Sequence, residues 1–293
     1  VDSALPNPAL PRSAWLFLLA GFAAMYLPTY WWAATTIWRT DEHAHGAIIL
    51  LVVAWLFWQR REPILAAAGK PAPVAGWSCF ALGVLLYVVG RSQDVSIFEI
   101  GSQILVLAGS LLVLAGRAGA RAAWFPLAYL VFMIPLPGIL VDAATAPLKQ
   151  WISVIVEALL YGAGYPIARS GVVLSIGPYQ LLVADACSGL HSMVSLAALG
   201  ALFMYLAGRR SLTHHFLMAA SILPVAFTAN VIRVVLLVLL TYHFGDDAGQ
   251  GFLHGAAGLV LILAALLFLT ALDRVLLPFT RTLSRPRAAT RHA

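Results

Sequence analysis

Apolar residues run in long blocks along this chain, with short polar breaks between them. The blocks lack both the two-residue alternation of a half-buried strand and the one-sided stripe of a surface helix. They predict helices surrounded by lipid. Spans are expected at 15–32, 46–58, 77–90, 102–116 and 122–134, the last closing on Pro135-Leu136-Pro137. The second to fifth fall short of the ~20 residues that cross a bilayer, so flanking residues or local thinning must supply the difference. Three strong blocks finish the chain, at 189–206, 216–242 and 254–277. Between the two groups, residues 138–169 read as a helix with scattered polar positions (Asp142, Lys149, Gln150, Glu157) lying at the interface rather than crossing it. Next, over 171–184, two apolar or β-branched runs flank Gly177-Pro178, which is a hairpin signal. An open hairpin leaves edge groups unsatisfied in hydrocarbon, so it belongs at the water face or against protein. The fold class expected is an all-α integral membrane protein. It has about eight transmembrane helices and a short extracytoplasmic β-hairpin before the sixth.

Composition agrees with lipid as the solvent. The chain is 61% hydrophobic and 10% charged, against about 25% charged in a soluble domain. So few charges cannot cover a water-facing surface. A single polytopic domain is expected over 15–277, between a disordered, Pro-rich tail (1–14) and a basic cytoplasmic tail (278–293). The net charge of +6 does not point to nucleic acid, because the charges sit in short loops, where they report topology. With eight spans and a cytoplasmic N-terminus, one side collects Arg12, Arg60, Arg61, Lys70, Arg117, Arg121, Arg209, Arg210, Arg274, Arg281, Arg285, Arg287 and Arg291, thirteen of the 18 basic residues. The acids Asp41, Glu42, Asp94, Glu99, Asp142, Glu157, Asp185, Asp246 and Asp247 fall on the other. Both termini are then cytoplasmic, and 138–188 lies outside.

This orientation gathers three polar interruptions of the last blocks. Asp185-Ala-Cys-Ser-Gly-Leu-His-Ser192 sits at the outer end of the sixth span. Arg233 lies about nine residues short of the outer end of the seventh, roughly 13 Å at 1.5 Å per residue, with Asn230 three residues earlier on the same face. His254 opens the eighth span from outside. Consecutive spans with short connections favour adjacency.

Each residue also has a bland reading. Cys79, inside the third span, is a small core residue. Cys187 differs: a Gly-containing polar turn at a helix N-terminus lowers a thiol pKa. An intramembrane Arg is costly and points to function, although Arg233 could instead anchor a loop acid. His254 alone is a weak signal. His191 is one turn from Cys187 and is a second candidate base. His214 and His215 fall on the cytoplasmic side and read as solvated. His43 and His45 fall outside, where short His-rich runs often do nothing.

A thiolate to attack a carbonyl, an imidazole to carry protons and a cation to stabilise the anion make a complete set for acyl transfer. Cys187, His254 and Arg233 supply those three types without cofactor or metal. The motifs for zinc hydrolysis, phosphate binding or a serine nucleophile are absent from the sequence. Two other readings stay open. One is a multispanning transporter with Arg233 binding an anion, although the sequence shows no internal repeat. The other is an intramembrane metallohydrolase using His43, His45, His191 and His254.

Ala186-Cys187-Ser188-Gly189, then Asn230-x-x-Arg233, then His254-x-x-x-Gly258 resembles the exosortase/archaeosortase family of multispanning cysteine transpeptidase-like proteases. Ile134-Pro-Leu-Pro137 and His45-Gly46 are similar too, and the likeness covers nearly the whole chain. With no soluble C-terminal extension, the chain resembles a stand-alone bacterial exosortase of the B type. The resemblance implies Cys187, Arg233 and His254 as catalytic residues, supported by Asn230, Ser188, His191 and His45. It implies an inner-membrane location with the site facing the periplasm. It implies partners that are exported proteins with a C-terminal Pro-Glu-Pro signal, a transmembrane helix and a basic tail, and a link to exopolysaccharide production.

Overall fold

A computed structural model describes residues 12–40, 43–66, 71–136, 138–182, 189–208, 211–245 and 252–283. The chain is mainly helical with one small antiparallel sheet. Among the described residues four helices are long and apolar enough to cross a membrane: Ser13–Arg39, Pro73–Ser92, Ser96–Leu114 and Thr213–Phe244. His45–Gln59, Trp124–Met133 and Val194–Ala207 are shorter apolar helices. The chain divides into two compact units, Val1–Pro137 and Gly138–Ala293.

The first unit holds α1 (Arg12–Thr35), α2 (His45–Gln59), α3 (Arg61–Ala66), α4 (Pro73–Ser92), α5 (Ser96–Leu114), α6 (Gly116–Ala122) and α7 (Trp124–Tyr129). A 3-10 turn, Leu130–Met133, follows α7 before Pro135 ends the helix. Two helices are longer than the apolar blocks suggest. Pro73 supplies a first-turn residue for α4 that needs no intrahelical donor. At the start of α5, Ser96 and Glu99 read as a polar break in sequence, yet both are helical, and Glu99 is buried together with Ser102. Glu99 is 5% exposed. It accepts hydrogen bonds from Thr29 Oγ1 at 2.6 Å and Arg91 Nη1 at 2.9 Å. The hydroxyls of Tyr26 and Ser102 bond at 2.7 Å, and Tyr30 donates to Gln103 Oε1. Glu99 is therefore a buried partner of Arg91 rather than a loop acid. Its place in the charge count is corrected, since desolvated acids say little about topology.

The α4–α5 pair is built on glycine. Gly76, Gly83 and Gly90, seven residues apart, lie against α5. A Cβ on them would stand 2.9, 2.8 and 2.3 Å from the backbone nitrogens of Val113, Val106 and Glu99. Backbone cannot move aside as a side-chain tip can. Small residues that let helices approach this closely are the usual device where lipid offers no hydrophobic drive. Gly83→Ala should cost about 1–3 kcal/mol, measured by thermal unfolding in detergent. An unchanged midpoint would contradict the close packing.

The second unit holds α8 (Gly138–Gly162), β1 (Ile167–Ser170), β2 (Val173–Ile176), β3 (Tyr179–Leu182), α9 (Gly189–Ala207), α10 (Leu212–Phe244) and α11 (Phe252–Leu283). The expected hairpin is present: β2 and β3 pair antiparallel, Ile176 opposite Tyr179, across Gly177-Pro178. Gly177 takes φ +55°, the left-handed conformation a two-residue hairpin turn requires. A third strand was not expected. β1 pairs with β2 through a turn at Gly171, whose φ is +63°. Its four residues, Ile-Ala-Arg-Ser, are too few and too mixed to announce a strand. One face of the sheet is packed. Ile167, Leu174 and Ile176 meet Ile152, Val156 and Leu160 of α8 and Val231, Val234 and Val238 of α10. The three- or four-residue spacing on both helices gives each one apolar stripe for this contact. The Arg169–Glu157 ion pair, at 2.9 Å, ties β1 to α8.

Candidate active site

α10 is the axis of the second unit. Ser211 caps it, accepting a hydrogen bond from His214 N at 3.4 Å, and Gly245 ends it at φ +89°. Its 33 residues span about 50 Å at 1.5 Å per residue, well beyond the ~30 Å hydrocarbon layer. The apolar sequence continues through Pro224. Within it, Asn230 is 2% and Arg233 6% exposed. Three residues apart, they share a helix face. The Asn230 Oδ1 finds no hydrogen-bond partner among the described residues. A buried amide left with an open acceptor costs about 1–3 kcal/mol, a cost fold stability alone does not explain.

The three polar interruptions belong to helices that meet. α9, α10 and α11 each pack on the other two. Leu196 of α9, Ala226 and Ala229 of α10 and Ala265 of α11 form one buried cluster, joined by Leu148 of α8. Ala229 immediately precedes Asn230, so the convergence sits directly below the Asn230–Arg233 face. The sheet packs on α10 at Val231 and Val234. β3 then ends at Leu182, five residues before Cys187, and α9 begins at Gly189, two residues after it. Both flanks of the Cys187 segment are thus elements of this unit.

The placement of individual candidates follows. Cys187 and Ser188 lie outside the described residues. His191 is the third residue of α9, and His254 the third of α11. His45 is the first residue of α2, in the other unit. Gly46, its neighbour, is required because a Cβ there would stand 2.3 Å from the Trp38 indole nitrogen. Cys79 is half-buried, its thiol donating to Leu105 O at 3.4 Å. Among the described residues, no three His, Cys, Asp or Glu come together as a metal site.

One expectation is overturned. His214 is not a solvated loop histidine. It is 3% exposed and its Nε2 lies 2.9 Å from Oδ1 of Asp273, itself 5% exposed. Asp273 stands beside Arg274 inside the last expected span, 254–277. An acid inside an apolar block was the available signal. His215 points elsewhere, its Nδ1 2.9 Å from Ser211 O.

Comparison with known proteins adds one positive finding. A family model described as transmembrane exosortase matches residues 31–271. No curated protein and no solved structure matches the chain. The match takes in all three polar interruptions together with the membrane-length helices Pro73–Ser92, Ser96–Leu114 and Thr213–Phe244. The chain belongs to the transmembrane exosortase family, membrane proteins of the sorting-protease and transpeptidase kind.

Proposed function

We propose that this protein is an intramembrane cysteine peptidase or transpeptidase acting on exported proteins at the outer face of a bacterial inner membrane. The observation that carries the reading is the buried Asn230–Arg233 pair, held inside a long apolar helix that packs on the helices of His191 and His254. Cys187, as thiolate, attacks the scissile carbonyl of the substrate. Arg233 stabilises the resulting oxyanion, and the Asn230 amide adds a donor. The tetrahedral species collapses, the C–N bond breaks, and His254 gives the amine the proton it took from the thiol. A thioester remains on Cys187. Water or an amine acceptor then releases it, with His191 and Ser188 beside the nucleophile in sequence.

The substrate class proposed is a protein with a C-terminal Pro-Glu-Pro signal, a transmembrane helix and a basic tail. The reading includes a B-type exosortase, a link to exopolysaccharide production and eight spans with both termini cytoplasmic. The charge asymmetry supports that orientation. The purified chain in lipid should cleave such a substrate and spare one whose signal is scrambled. Equal cleavage of both would refute the substrate class. Reporter tags at the C-terminus and at 209–212 should read cytoplasm, and tags at 245–250 outside. A periplasmic C-terminus would refute the eight-span arrangement.

A further inference from the structure

The His214–Asp273 pair lies far along α10 and α11 from the residues assigned to chemistry. Nothing in the proposed reaction uses it. It is nonetheless a buried polar contact that joins the two helices. His214 is the third residue of α10 and Asp273 lies about two-thirds of the way along α11, and the bond between them fits an antiparallel pair. Alanine is prominent in the apolar part of the contact: Ala226 and Ala229 of α10 and Ala265 of α11 share one buried cluster with Leu196 of α9. Alanines facing each other resist sliding less than larger interlocking side chains do. A buried polar pair resists a slip, because sliding breaks the bond between its two groups where little water can replace it. Fixing register is the best-attested use of such groups.

The positions then line up. Arg233 is nineteen residues after His214, and His254 is nineteen residues before Asp273. Equal counts on antiparallel helices put the backbone of His254 level with that of Arg233, both about 28 Å from the pair at 1.5 Å per residue. A slip of one turn would part them by about 5.4 Å. We infer that His214 and Asp273 are positioning residues, a register pin whose service to catalysis is to hold Arg233 and His254 at one level. The catalytic part of this inference rests on the function proposed above. The register part does not.

The test separates a pin from a merely structural contact. His214→Leu/Asp273→Leu removes both members of the pair at once, so neither is left buried facing the stump of the other, and the chain should fold and insert. Spin labels at Leu223 and Leu263, which are 61% and 51% exposed and level in the pinned register, report the alignment. They are placed in a Cys79→Ala/Cys187→Ala background. With the pin intact they should give one narrow distance. In the double-Leu chain the distribution should broaden or shift by about one turn. In the background that keeps Cys187, the double-Leu variant should lose turnover roughly a hundredfold with KM unchanged. Asp273→Asn keeps an oxygen for the His214 N–H and should retain both distance and turnover. A double-Leu chain with the native distance would overturn the pin. A shifted distance with native turnover would overturn its service to catalysis. If the unaltered chain processes no substrate, the proposed activity fails, while the label distance still decides the register.

Discussion

Cys187→Ala should abolish processing of a signal-bearing substrate, while Cys79→Ala keeps most of it. The two cysteines differ in their sequence setting. Cys79 sits inside α4 with its thiol donating to the Leu105 carbonyl oxygen. Cys187 precedes the first turn of α9 in a polar, Gly-containing segment, where the partial positive charge of a helix N-terminus favours the thiolate. Alanine removes the attacking atom, and no other group in the proposed set replaces it. Serine restores an oxygen but not a readily formed anion, so Cys187→Ser should also be severely impaired. Rates are read from loss of the substrate's C-terminal helix and basic tail. Full activity in Cys187→Ala would remove the nucleophile from the account.

Arg233→Lys is the second large effect. Lys keeps the charge but loses the planar fork of donors. If Arg233 merely anchors its helix, Lys should serve nearly as well. If it directs hydrogen bonds at the oxyanion, the variant should insert normally yet turn over slowly. One such donor is worth about 2.7–4 kcal/mol, a hundred- to thousandfold in rate. Its burial sharpens the test, because a site 6% exposed offers little bulk water to substitute for the missing donors. A Lys variant with native turnover would leave Cys187 and His254 as a dyad, with the Asn230 amide next in line as stabiliser.

The polar breaks that mark the candidate site are legible in the sequence because polar residues inside apolar blocks stand out. Asn230 and Arg233 interrupt a run of Val, Ile and Leu, and the structure buries both. The Gly177-Pro178 turn is legible for a different reason: few residue pairs serve a two-residue hairpin. What escapes the pattern depends on partners far away in the chain. Glu99 looks like a loop acid until Thr29 and Arg91, 70 and 8 residues distant, are seen bonded to it. His214 looks solvated until Asp273, 59 residues on, closes over it. The glycines at 76, 83 and 90 carry a seven-residue period, yet the period gains meaning only once α5 lies 2.3–2.9 Å from their missing side chains. β1 exists because β2 offers it an edge, and its own four residues carry no strand pattern. Short-range chemistry is therefore readable from the chain, and long-range pairing is not.

The central claim is a covalent intermediate on Cys187. It is tested most directly by mixing purified protein in lipid with a signal-bearing substrate, quenching with acid during the first turnover, and mapping the adduct by mass spectrometry. The account predicts that the peptide containing Cys187 gains the mass of the upstream substrate fragment, and that neutral hydroxylamine removes it, as a thioester requires. Turnover with no adduct on Cys187, or with the acyl group on another residue, would contradict it.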